Sequence, residues 1–67
     1  MKNKLTKTQI KVLEKVAVGI PTKEIAAQLG ITENTVSVHR SNIIKRLGIH
    51  NIAQLTIFAI KNGIIKI

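Results

Sequence analysis

Between Thr32 and Asn42 the chain reads TENTVSVHRSN, and within it Asn34, Ser37, Val38, Ser41 and Asn42 recur at helical spacing. At about 100° per residue these side chains, with Lys45, gather on one side of a helix, opposite the aliphatic Val36, Ile43 and Leu47. Hydroxyls and carboxamides donate and accept hydrogen bonds without charge, and their shortness lets a helix backbone lie close to a partner. A face that meets only water in so basic a chain is expected to carry Lys and Glu, which fill helices better than Ser and Asn and form i,i+4 pairs. The chemistry open to this set is recognition. In a major groove about 12 Å wide, hydroxyls and amides meet base edges and Val38 meets a thymine methyl. The competing reading is a cap-rich surface helix that tolerates one Val.

Reaction chemistry finds no support. The chain has neither Asp nor Cys, and neither Ser has a His and carboxylate set within reach in the expected fold, so a non-enzyme without cofactor or small-molecule ligand is expected. His39, between the core and polar sides of its helix, suits a structural hydrogen bond or a phosphate contact rather than a metal, since no ligand cluster accompanies it. His50 is expected in a loop.

Charge names the partner class. Eleven Lys and Arg face three carboxylates (Glu14, Glu24 and Glu33) in 67 residues, a formal net charge of +8, which predicts attraction to polyanions. Nucleic acid is preferred over an anionic membrane. Apolar runs such as Ile57 to Ile60 fall far below the roughly 18 residues of a membrane span, and the polar start lacks a leader's apolar core, so a cytoplasmic address is expected. Met1 stands four residues before Leu5, which fits either a short gene product or the C-terminal part of a larger protein. Any controlling signal is expected to act through another chain, another domain or expression level.

The elements that must hold the polar set are helices, in one domain over residues 1–67. Period and punctuation place them at about 7–18, 22–29, 33–47 and 51–62, with no strand. Thr6, Thr22, Thr32 and Asn51 are expected as N-caps, and Gly19, Gly30, Gly48 and Gly63 as stops. The second and third helices, joined at Gly30 and pinned by Ile31 and Val36, read as a helix-turn-helix. Lys4, Lys7, Lys11 and Lys15 form a basic ridge on the first helix, expected to be a solvated face that raises general attraction to DNA. The fourth helix is apolar almost all round. Ile52, Leu55, Ala59 and Ile60 are expected to face the core, leaving Ala53, Ile57 and Phe58 outward. Either a symmetric contact with a second copy uses Gln54, Ile57, Phe58 and Lys61, or the tail Ile64 to Ile67 folds over this face.

The stretch LTKTQIKVLEKVAVGIPTKEIAAQLGITENTVSVHRSNIIKRLGI resembles the LuxR/GerE-type helix-turn-helix domain, also the output domain of NarL/FixJ-type response regulators. The matching positions include Leu5-Thr6, Val12-Leu13, Lys23-Glu24-Ile25-Ala26, Thr35-Val36, His39, Leu47-Gly48 and Gly63-Ile64. The resemblance implies an all-α, four-helix bundle that binds double-stranded DNA to regulate transcription. It also implies that the third helix enters the major groove and the fourth pairs two copies over an inverted-repeat site. By position it implies base reading by Ser37, Val38 and Ser41, flanked by Asn34 and Asn42. Phosphate contacts carry over to Thr22, Lys23, Thr32, Thr35, Arg40, Lys45 and Arg46. Reading and gripping then fall to different residues, and the reading face can be nearly neutral. Four positions depart from the pattern: Ser37 stands for a frequent Lys, Ile52 for Arg, Gln9 for Glu and Thr56 for Val. These changes predict an altered target site, loss of an ion pair between the first and fourth helices, and greater reliance on packing. The alternative function is a helical interaction module, an adaptor or inhibitor, using the apolar face of the fourth helix.

Overall fold

The computed structural model describes residues 5–66; Met1 to Lys4 and Ile67, including the expected roles of Lys4 and Ile67, lie outside them. Four helices follow one another: α1 (Lys7–Ala17), α2 (Thr22–Leu29), α3 (Glu33–Leu47) and α4 (Ile52–Lys61), with no strand among the described residues. Their starts are chemically set. Thr6 and Gln9 form a reciprocal capping box, the Thr6 hydroxyl accepting from the Gln9 N–H and Gln9 Oε1 from the Thr6 N–H, both at 3.0 Å. Thr32 caps α3 through the Thr35 N–H at 3.1 Å, and Asn51 caps α4 through the Gln54 N–H at 3.2 Å.

At α2 the expected cap moves by one residue. The Pro21 carbonyl already accepts the Ile25 N–H at 3.0 Å, so Pro21 is the boundary and Thr22 lies inside the first turn, its hydroxyl released from capping. The α2–α3 turn closes as expected on Gly30, whose φ of 69° is left-handed backbone, and the Ile31 N–H returns to the Ala26 carbonyl at 3.0 Å. The α1 end falls one residue short of expectation, at Ala17.

Helix α1 is the centre of the bundle: it touches α2, α3 and α4, while α2 and α3 lie against each other. Val12, Leu13, Ile25 and Val36 are fully enclosed, joined by Leu5, Val16, Ala26, Ile43 and Leu55 in one core. In this arrangement α4 runs against α1, and its Leu55 joins Ile43 of α3 in the shared core. Leu55 and Ala59 are buried as expected and Ile60 is half-buried, but Ile52, expected to face inward, is 53% exposed. Thr56, one turn on, already reaches the Ala17 carbonyl at 3.0 Å, and Ala17 is the last residue of α1, so the apolar stripe outruns its cover. Phe58, expected outward, is half-buried against the core. Ile64 also packs there, with its N–H on the Ala59 carbonyl at 2.8 Å, yet Ile57 stays 51% exposed; the described part of the tail does not cover that face. The Thr56 hydroxyl supplies a polar link between α1 and α4, where loss of an ion pair and more reliance on packing were expected.

Candidate nucleic-acid interface

Helix α3 buries Val36 and Ile43 and leaves its other side uncovered. Asn34, Ser37, Val38, Ser41, Asn42, Lys45 and Arg46 are all exposed, Val38 at 50%. No core residue competes for the Ser and Asn side chains, so they are available to an outside partner. Ser37, Arg40, Ser41 and Ile44 line an open depression along this helix, and the half-buried Ile44 is a lining residue that helical phase alone had not singled out.

The residues expected to contact phosphate border α3. Thr35 is half-buried and Thr32 exposed, and their hydroxyls lie 2.9 Å apart while Thr32 Oγ1 accepts the Thr35 N–H. Two hydroxyls hold two hydrogens and their mutual bond uses one, so one remains to donate outward. Arg40 reaches back over the turn: its Nη1 donates to Thr22 Oγ1 at 2.9 Å, tying the middle of α3 to the first turn of α2. Four guanidinium N–H groups are left for other acceptors. Whereas α1, α3 and α4 have side-chain caps, α2 has none, so its first N–H groups point outward beside exposed Lys23 and the Arg40 guanidinium. The nearby Glu24 carboxylate lies along the helix, within 3.4 Å of Gln28 Nε2.

Some expected residues stand apart from this surface. Gln54, Ile57, Phe58 and Lys61 come together on α4, where with Ile49 they line a separate, mainly apolar depression. Ile49, from the loop before α4, was missed because a loop residue has no helical phase. Lys7 and Lys11 are exposed on α1 and Lys15 is half-buried. His39 is half-buried with its Nδ1 enclosed and unbonded among the described residues, so a structural hydrogen bond through that atom is not made. No group of three or more His, Cys, Asp or Glu among the described residues is placed to hold a metal. No described helix is long and apolar enough to cross a membrane.

A second helix with a free polar face, crossed by a shorter one through a left-handed glycine, is the architecture of helix-turn-helix DNA-binding proteins. Fold and surface together define that class. Over residues 3–59 the chain matches the family described as bacterial regulatory proteins, luxR family. It belongs to that family of bacterial regulatory proteins.

Among curated proteins it is 49% identical over 51 residues to the transcriptional regulatory protein UhpA of Salmonella typhimurium, a match covering 76% of this chain and 26% of that protein. It is 42% identical over 60 residues to the transcriptional regulatory protein LnrK of Bacillus subtilis, covering 90% and 27%. It is also 42% identical over 53 residues to a nitrate/nitrite response regulator protein homolog of Haemophilus influenzae, covering 79% and 26%. The chain thus spans about a quarter of the length of the curated relatives it matches. No solved structure gives a significant match.

Proposed function

We propose that this domain binds double-stranded DNA sequence-specifically, as a homodimer on an inverted repeat, with α3 in the major groove. Ser37, Val38 and Ser41 read base edges, flanked by Asn34 and Asn42. Thr22, Lys23, Thr32, Thr35, Arg40, Lys45 and Arg46 hold the two phosphate backbones, and Gln54, Ile57, Phe58 and Lys61 join the copies. The observation that carries this reading is the uncovered, nearly neutral side of α3, bordered by Arg40 and the uncapped start of α2. Charge at the borders supplies affinity with little sequence information, and the short uncharged groups between supply selectivity. Because the matched relatives are longer regulators, the domain works as the output end of a larger signalling assembly, or with a sensory partner in trans.

Selection of bound sites from random duplex DNA, with protein stoichiometry measured on the winning site, tests this reading. Two copies per palindromic winner are expected, and Val38→Lys is expected to shift the selected bases. An unchanged site with Val38→Lys and with Ser41→Ala would show that the reading face is elsewhere.

A second reading, a protein-interaction module, draws support from α4, which keeps Ile57 exposed beside half-buried Phe58. Tight heteromeric binding without any duplex shift at moderate salt would favour it.

A further inference from the structure

Helix α1 carries Lys7, Lys11 and Lys15 four residues apart, so they stack on one side of it with about 6 Å of rise between successive positions. That side is turned away from the bundle. Gln9, Leu13 and Val16 line the clefts between α1 and α3. At about 100° per residue the three lysines centre roughly 165° around the helix from them. Lys7 and Lys11 are exposed and Lys15 is half-buried, and none of the three ammonium groups has an ion-pair or hydrogen-bond partner among the described residues. Glu14, the one carboxylate of α1, flanks the stripe without pairing to it. The arrangement works against the helix, because like charges at i,i+4 repel and Lys7 occupies a first turn that holds no acidic residue, at the positive end of the helix dipole.

Charge narrows the occupant of this ridge to a polyanion, and the neighbouring residues decide its kind. Protein interfaces are anchored by aromatic, Met and Arg side chains and are poor in Lys, and a membrane-surface helix needs apolar side chains beside its lysines. The exposed residues of α1 are Lys7, Thr8, Lys11 and Glu14, which offer neither. Evenly spaced cations without an apolar anchor suit the phosphate rail of a duplex. It is not the duplex under α3: α3 turns Val36 and Ile43 to the same core that α1 covers, so its free face and the ridge lie on opposite sides of that core. The Cα extents of the domain are 28 × 24 × 21 Å, and DNA with a persistence length of about 150 base pairs cannot fold back over so short a distance.

We infer that the α1 ridge is a second, sequence-independent DNA site, which takes the backbone of a duplex or distant segment other than the one α3 reads, so that the domain bridges two stretches of DNA. The inference rests on the DNA-binding reading and adds a second surface to it.

The test holds the full chain on an immobilised duplex of the selected site and measures capture of a labelled duplex of unrelated sequence, starting at about 50 mM salt. Wild-type protein should capture the second duplex, with log affinity falling against log salt at a slope of about −2 to −3, close to one phosphate per lysine. Lys7→Gln with Lys11→Gln should lose that capture by about tenfold and flatten the slope by about 1.8, while affinity for the immobilised site changes by less than about threefold. Its melting temperature should hold or rise, since Gln fills helices as well as Lys and the like-charge pair is gone. Lys7→Arg with Lys11→Arg should keep the capture. Lys2→Gln with Lys66→Gln, equal in net charge to the Gln pair on α1, is the control and should lose far less.

No capture by wild-type protein on its selected site overturns the ridge and leaves the DNA reading intact. The same follows if capture survives Lys7→Gln with Lys11→Gln, as it would were the second duplex held by the α3 of another copy, or if it falls equally in the control. Tighter capture of poly-glutamate than of duplex also overturns it, in favour of an acidic protein. A wild-type chain that binds no duplex at all overturns both readings together.

Discussion

Helices α3 and α4 face the same problem and solve it with opposite chemistry. Each buries two residues, Val36 and Ile43 on α3, Leu55 and Ala59 on α4, and each leaves a broad side uncovered. On α3 that side is Asn, Ser and one Val; on α4 it is Ala53 and Ile57, with Phe58 half sunk beside them. Water would accept either, but a partner would not. Uncharged donors and acceptors lose little by leaving water only where an equally polar surface replaces it, whereas exposed aliphatics gain by meeting others of their kind. The difference teaches that one small core serves two outward-facing helices, one offering hydrogen-bonding groups and one offering apolar surface.

Four measurements would break or sharpen that contrast. The largest effect is expected from Ile43→Ala, which removes the buried side of α3: about 3 kcal/mol of stability should vanish in thermal or urea unfolding, a large share for so small a domain. Next, Ile57→Asp should leave the monomer folded, since the side chain is half exposed, but lower affinity for a two-half-site duplex by about a hundredfold through lost avidity. Sedimentation and titration against single and double half-sites read this, and equal losses on both would merge the roles of the two helices. Third, Val38→Lys should leave unfolding unchanged and alter discrimination at one or two base pairs by about 1–2 kcal/mol, seen in a site-selection assay. The smallest effect is expected from Gly30→Ala. A Cβ there meets nothing within 4 Å, so only the strain of φ 69° is felt, about 1 kcal/mol of stability with the preferred site unaltered.

Much of this architecture was legible in the residues. The caps Thr6, Thr32 and Asn51 and the left-handed Gly30 announce themselves because local hydrogen bonding and backbone freedom need no distant partner. The uncovered side of α3 was equally plain, because Val36 and Ile43 fix the phase of a long helix. What escaped depended on neighbours. Ile52 shares the stripe of Leu55 and Ala59, but phase cannot say where the covering helix ends. Thr22 looked like a cap until Pro21 took the boundary, and its bond to Arg40 spans 18 residues, a separation no local pattern encodes. Thr6 was legible as a cap, but not the return bond by which Gln9 Oε1 accepts the Thr6 N–H and completes the box.

The bond from Arg40 to Thr22 has an entropic consequence. A free arginine on a helix samples many rotamers, and freezing such a side chain at a binding surface typically costs about 0.5–1.5 kcal/mol. Here the guanidinium already donates at 2.9 Å to a hydroxyl on the neighbouring helix, a bond that favours one of those rotamers before any ligand arrives. In the proposed complex a phosphate would therefore meet an Arg40 already held toward the start of α2, with less of its rotamer freedom left to lose.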